Sequence, residues 1–239
     1  MEVTGILPRL WQQLLPPRCI LCGDPTGGGR LCPPCSQDLP GPEPACPRCA
    51  APVAATGMVC GQCLRHPPPF DACRVGFDYA GPIVWLHQRF KFEGDLACGR
   101  AAAEALAHRL QPPGDALPER LVPVPLSGRR LRERGFNQAL ELARPLADAL
   151  GLPIDTRTVR RVRDTPPQAG LSARERRSNL RRAFEVSGPL HGASVAIFDD
   201  VITTGSTAAE IAKCLRRAGA GRIEAWGLAR SGRNLSIQR

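Results

Sequence analysis

Between Ala193 and Ala208 the chain reads ASVAIFDDVITTGSTA, and few folds accommodate that order of parts. Val195 to Phe198 is a short apolar run with two β-branched residues, the pattern of a buried strand. Asp199 and Asp200 close it. Thr203, Thr204, Gly205, Ser206 and Thr207 then make a hydroxyl- and glycine-rich turn, and from Ala208 a helix-forming run continues through Cys214 to Arg217. A strand, an acidic pair, a turn and a helix in that order predict a phosphate cradle. The N–H groups of Thr204 to Thr207 point at an anion, and the positive end of the helix dipole reinforces them. Gly205 allows close backbone approach. The plain alternative is an ordinary connection whose Ser or Thr caps the helix. No G-K-[ST] follows and no G-x-G-x-x-G follows a strand, so a Walker loop and a dinucleotide fingerprint are excluded.

Upstream, four CxxC pairs stand in register: Cys19/Cys22, Cys32/Cys35, Cys46/Cys49 and Cys60/Cys63, separated by 9, 10 and 10 residues. A CxxC turn aims two thiolates at one tetrahedral ion, so four pairs predict two Cys₄ zinc sites. The second half repeats the first after 27 or 28 residues. That repeat favours two consecutive ribbons, with a cross-braced arrangement of the same ligands left open. Redox dithiols or disulfides are the alternative to metal. The segments between, rich in Pro and Gly, cannot build a core of their own, so bound metal must supply folding energy. His66 reads as a loop histidine, and Cys73, Cys98 and Cys214 as buried small residues.

The 239 residues suit one ordinary domain plus a small module, with Pro67-Pro68-Pro69 as the stiff boundary. The organisation expected is an amphipathic helix within 1–17, a double zinc-ribbon module over 18–69 and an α/β domain over 70–239. The helix spans Ile6 to Leu15 and packs Trp11 against the body. No run of 18 apolar residues and no secretory signal pattern occur, so a cytoplasmic protein without a membrane span is expected. Of 32 basic residues only Lys91 and Lys213 are lysines, a preference that genome composition alone also explains. Between 120 and 182 stand fifteen arginines against six acidic residues. That excess implies a polyanionic ligand, a pyrophosphate or a nucleic-acid backbone.

After the boundary, Ala72 to Tyr79 alternates like a strand, and Ile83 to Phe92 and Leu96 to Leu110 read as helices. Lys91 stands out between aromatic residues in RFKFEGD. Leu121 to Leu126 is a short strand running into a basic loop and then a helix that ends at Gly151. Residues 157–182 read as a charged, mobile loop, Phe184 to Val186 and Ile223 to Leu228 as strands. Strands alternating with helices predict a parallel, doubly wound sheet, whose ligands bind beyond the strands' carboxyl ends.

A carboxylate pair beside a phosphate cradle suits a ligand carrying a diol and a divalent cation, as a ribose 5-phosphate with Mg²⁺ does. Asp199 to Thr207 resembles the type I phosphoribosyltransferase signature D-D-x-x-T-T-G-x-T at every fixed place. Closer still, four blocks are similar to the ComF family, associated with competence and gluconate utilisation. They are the cysteine module, Lys91-Phe92, VPVPL…RRLRERGFNQ over 122–138, and R-x-x-x-T-x-x-Q-x-x-L over 161–171. The resemblance implies a parallel-sheet type I phosphoribosyltransferase fold behind a double zinc ribbon, with two structural Zn²⁺. It implies phosphoribosyl pyrophosphate with Mg²⁺ as ligand. Asp199 and Asp200 would hold the ribose hydroxyls, and Thr203, Thr204, Gly205, Ser206 and Thr207 the 5-phosphate. Arg129, Arg130 and Arg134 would form the pyrophosphate loop, and Arg161, Gln168 and Arg177 the lid, with Lys91 in the same group.

No acceptor follows. Three readings stand: a transferase with an unassigned acceptor, a handler of single-stranded DNA working with uptake proteins, and a non-catalytic phosphoribosyl pyrophosphate sensor. Only 5% of residues are aromatic, few for base-stacking platforms.

Overall fold

In the computed structural model, residues 17–41, 44–110, 117–164, 180 and 182–232 are described. The expected helix at 6–15 lies outside them. The strands are β1 (Ala72–Asp78), β2 (Arg120–Pro123), β3 (Val159–Arg161), β4 (Phe184–Val186), β5 (Ser194–Ile202) and β6 (Arg222–Arg230). The helices are α1 (Pro33–Gln37), α2 (Gly61–Arg65), α3 (Gly81–Phe92), α4 (Leu96–Arg109), α5 (Gly128–Arg134), α6 (Gln138–Leu150) and α7 (Ser206–Arg217).

Four strands form a parallel sheet in the order β1-β6-β5-β2. β5 and β6 are central, and their near-continuous apolar runs leave Val195 to Phe198 and Ala225 to Trp226 fully buried. The chain crosses from β1 to β2 in one direction and returns from β5 to β6 in the other. Right-handed crossovers therefore place α3 and α4 on one face and α7 on the opposite face. α6 packs beside α4 and buries Leu142, Ala143, Leu146 and Ala147 as an apolar stripe along one face. α7 buries Ala208, Ile211, Ala212 and Leu215 in the same way.

Three features depart from the sequence reading. β5 does not stop at the acidic pair but runs on to Ile202, with Asp199 opposite Gly227 and Val201 opposite Ala229. Gly227 permits this, because a Cβ there would lie 3.0 Å from Ile202 Cγ1 and 3.2 Å from the Asp199 carbonyl oxygen. Within the segment expected to be loop, Val159–Arg161 forms β3 and pairs antiparallel with β4 in a separate two-stranded sheet. Three residues are too few to show a period, and the pairing closes over the buried Val159 and Phe184. The basic loop after β2 is also partly helical, as α5.

The cysteine module docks on the edge of the sheet. The buried apolar residues of 17–69 are Cys19, Cys32, Leu39, Cys46, Ala50 and Cys63, mostly the candidate metal ligands themselves. Leu39 and Ala50 belong to the same apolar cluster as the α/β domain. Edge strand β1 donates its Cys73 and Asp78 N–H groups to the Pro47 and Pro40 carbonyls, at 3.0 and 3.1 Å. The Arg109 guanidinium reaches the Leu39 carbonyl at 3.0 Å, and Arg30 pairs with Glu104 at 3.1 Å. The module thus covers an edge that would otherwise offer unpaired donors to another chain.

One buried carboxylate ties the sheet together. Glu224 is 2% exposed and accepts from Trp226 Nε1 at 2.7 Å, Arg74 at 2.9 Å and Arg222 at 2.7 Å. Burial opposes its charge, but Trp226 and Arg74 prevail and hold it below the usual carboxylate range. Its stabilisation is therefore complete above the ordinary value of 4.5 and lost as pH falls through the lowered one. Glu224→Gln is expected to cost about 1–3 kcal/mol at neutral pH, because it removes the buried charge to which Trp226 and two partly exposed arginines are bonded. Urea titrations of the two proteins should show the gap found at pH 7 narrowing as the pH is brought progressively below 4.5.

Candidate functional site

At the carboxyl end of the sheet a cleft of about 570 Å³ opens between the β5–α7 turn, the end of α3 and the region from β2 to α6. It brings together Lys91, Arg129, Arg130, Arg134, Arg161, Asp199, Asp200 and Thr203 to Thr207. These are the sequence-selected residues of this site that fall within the described part of the chain. Gln168 and Arg177 lie outside it.

The turn is built as the sequence suggests. Gly205 precedes α7 in the left-handed region, φ 72°, where a side chain would be strained. The Thr204 and Ser206 hydroxyls are 2.7 Å apart, and the Ser206 N–H donates to Thr204 Oγ1 at 3.3 Å. No side chain caps α7, so its first turn faces the cleft as a donor set. Arg230, at the end of β6, donates to the carbonyls of Thr203 and Ile202, which fastens the turn to the neighbouring strand.

The two acids are unlike. Asp200 Oδ2 accepts from Lys91 Nζ at 2.5 Å and from His87 Nε2 at 3.1 Å, while Oδ1 accepts the Val201 N–H at 2.8 Å. A carboxylate only accepts, so Nε2 carries a proton. In the neutral ring Nδ1 then accepts from the Tyr79 hydroxyl, 3.0 Å away. Burial opposes the charge on Asp200, but Lys91 and His87 overcome it and hold the carboxyl well below its usual range. Asp199 accepts only the Asp200 N–H, at 3.0 Å, among the described residues. Burial and the adjacent Asp200 charge push it up to about 8.

The lining also has a basic part. Ser127 caps α5, which carries Arg129, Arg130 and Arg134, and Asn137 caps α6 while its Nδ2 holds the Val124 carbonyl at 3.1 Å. Arg134 reaches Gln138 Oε1 at 3.0 Å. Burial and the like charges of Arg134 and Arg129 lower the pKa of Arg130, and burial and Arg130 do the same to Arg161. The cleft therefore combines N–H donors, carboxylate acceptors and crowded guanidinium groups in one lining.

In the module, Cys19, Cys22, Cys32 and Cys35 converge on one point and Cys46, Cys49, Cys60 and Cys63 on another, each set within 4.8 Å. The arrangement is sequential, which decides between the two ligand sets the spacing left open. The Cys22–Cys32 and Cys49–Cys60 sulfurs are 3.6 Å apart. Tetrahedral Zn–S bonds of 2.3 Å require about 3.8 Å, so the donor sets fit zinc. The Arg18–Pro25 bridge recurs as Ala45–Pro52, the 27-residue repeat made structural. His66 belongs to neither set, and Cys73, Cys98 and Cys214 are buried free thiols.

A model of the double zinc ribbon domain matches residues 10–64. The DNA utilization protein YhgH of Salmonella typhimurium is 39% identical over 223 residues, covering 91% of this chain and 98% of that protein. Competence protein F of Haemophilus influenzae is 38% identical over 213 residues, 84% of this chain and 90% of its own. The chain belongs to the ComF family. Solved structures resemble this ComF chain more faintly. A purine phosphoribosyltransferase from Pyrococcus horikoshii superposes with a TM-score of 0.32 at 20% identity, over 56% of this chain and 82% of that one. A glutamine phosphoribosylpyrophosphate amidotransferase from Bacillus subtilis gives a TM-score of 0.35 at 21% identity, over 53% of this chain and 25% of that one. Likenesses that slight decide nothing about the site.

Sequence reasoning on this ComF protein missed His87, Tyr79 and Arg230. The available signal for His87 was its spacing, four residues before Lys91 and so on the same helical face. Nothing local marks Tyr79 or Arg230. No helix among the described residues is long and apolar enough to cross a membrane.

Proposed function

We propose that this ComF chain binds phosphoribosyl pyrophosphate with Mg²⁺ and transfers its ribosyl phosphate, in the service of DNA uptake or use. One observation carries the reading: the Asp199–Asp200 pair, the Thr203–Thr207 turn and three α5 arginines line a single cleft. A phosphorylated sugar diol bearing a pyrophosphate needs those three donor and acceptor sets side by side.

Thr203 to Thr207 and the first turn of α7 take the 5-phosphate. Asp199 and Asp200 take the ribose hydroxyls, and their hard oxygens suit a hydrated Mg²⁺. When bound, that ion supplies neutralisation of the pyrophosphate charge. Arg129, Arg130 and Arg134 stabilise the leaving pyrophosphate as the C1–O bond breaks and the electron pair departs with it. The developing oxocarbenium-like carbon is then attacked by the acceptor. Arg161, from β3, closes the basic wall, and the family resemblance assigns Gln168 and Arg177 to the lid.

The names of the relatives, DNA utilization protein and competence protein, support a role with incoming single-stranded DNA and uptake proteins. Eight cysteines placed for metal rather than disulfides suit the reducing cytoplasm. Calorimetry of phosphoribosyl pyrophosphate with Mg²⁺ tests the reading: saturable one-site binding that requires the metal is expected, and no heat at millimolar ligand would remove the basis for it. A screen of nucleobases, nucleotides, amines and single-stranded DNA, scored by pyrophosphate release, then separates a transferase from a sensor.

A further inference from the structure

At the centre of the cleft the protein's own side chains neutralise Asp200. Each carboxylate oxygen has two lone-pair positions. Both on Asp200 Oδ2 are used, by Lys91 Nζ at 2.5 Å and His87 Nε2 at 3.1 Å. The free position on Asp200 is on Oδ1, the oxygen turned to the Val201 backbone. A hydroxyl that donates to Oδ2, the oxygen turned away from the Val201 backbone, therefore has to displace a protein donor from it.

The three donors differ in mobility. The Val201 N–H is part of β5. His87 is 3% exposed and anchored from behind by Tyr79 at 3.0 Å. Lys91 is different: its side chain is 21% exposed, and it sits in the last turn of α3, three residues before Gly94 in the left-handed region. It also lines the same cleft as the α5 arginines. In a chain whose other basic residues are all arginine except Lys213, this contact uses an ammonium. A compact point charge on a flexible four-carbon stem can leave one anion for another, whereas a guanidinium holding a carboxylate in a two-bonded fork is harder to dislodge.

We propose that Lys91 is an exchangeable counter-ion of the site. It closes on Asp200 while the cleft is empty. When the sugar hydroxyls take Oδ2, its ammonium transfers to the ligand's phosphate oxygens, and His87, held by Tyr79, stays behind to keep the carboxylate aligned. Lys91 is then a positioning residue in the empty protein and a ligand contact in the loaded one. This rests on the phosphoribosyl pyrophosphate reading of the cleft.

The presence of just two lysines makes the exchange observable. Full-length protein grown with ¹³Cε,¹⁵Nζ-lysine gives two side-chain signals, assigned by Lys213→Arg. In the empty protein, Asp200→Asn should move the Lys91 signal and leave Lys213 in place. Addition of phosphoribosyl pyrophosphate and Mg²⁺ to the wild type should again move Lys91 alone. Lys91→Met should weaken ligand binding about tenfold or more, the loss of a charge-assisted phosphate contact, and Lys91→Arg should not restore it. Calorimetric binding with the Lys91 signal unmoved would overturn the exchange and leave the binding site standing. Absence of calorimetric binding would overturn the site reading itself, and the exchange with it.

Discussion

Chelation of zinc is expected to unfold residues 17–69 and to expose the edge of the sheet in the same transition. The module buries little besides its own cysteines, so the ligand sets replace the core it lacks. Structural zinc contributes roughly 10–16 kcal/mol of binding free energy to comparable small modules, far more than their apolar contacts can. Metal analysis should return two zinc ions per chain, in line with the two Cys₄ sets. On treatment with a strong chelator, hydrogen exchange at Cys73 and Asp78 should accelerate, because the Pro47 and Pro40 carbonyls that accept their protons leave with the module. Amides of β5, two strands inward, should remain protected. The uncovered β1 should then drive concentration-dependent self-association, which light scattering reads directly. Unchanged exchange at those two amides after complete zinc removal would mean that the module folds and docks without metal.

Replacing Asp199 by Asn is expected to abolish metal-dependent binding of phosphoribosyl pyrophosphate while leaving the fold intact or slightly more stable. In the proposed complex the carboxylate would contribute charge-assisted hydrogen bonds to the sugar diol and to the hydration shell of Mg²⁺. Losing them should cost about a hundredfold or more in affinity. The fold loses nothing comparable. Asp199 accepts only the Asp200 N–H among the described residues, and the Asn oxygen can take that bond. Burial and the neighbouring Asp200 already disfavour its charge, raising its pKa to about 8, so an uncharged isostere relieves a cost. The expected signature is unchanged or higher thermal stability together with lost binding. Wild-type affinity in the Asn variant would show that this acid does not read the ligand.

The two acids also show where sequence legibility stops. Their adjacency is visible in the string, and so is the turn that follows. Their division into a carboxylate held ionised and one pushed toward neutrality is not, because it depends on His87 and Lys91, 113 and 109 residues away in the chain. Arg230 is likewise 27 residues from the loop it fastens. β3 falls within 157–182, which reads as loop because three residues carry no periodic signal and the partner strand β4 supplies the stability.

What the amino-acid sequence determined by itself is everything encoded by local spacing. That covers two thiol pairs per metal, a strand feeding an acidic pair and a hydroxyl turn, and the alternation that demands a parallel sheet. Those features follow from chain geometry over a few residues, which the fold cannot alter. Only the tertiary structure decided which CxxC pairs share an ion, which edge the zinc module covers, and which side chains neutralise Asp200. These are contacts between distant segments, selected by burial and by the pairing of buried polar groups, and no spacing within one segment encodes them.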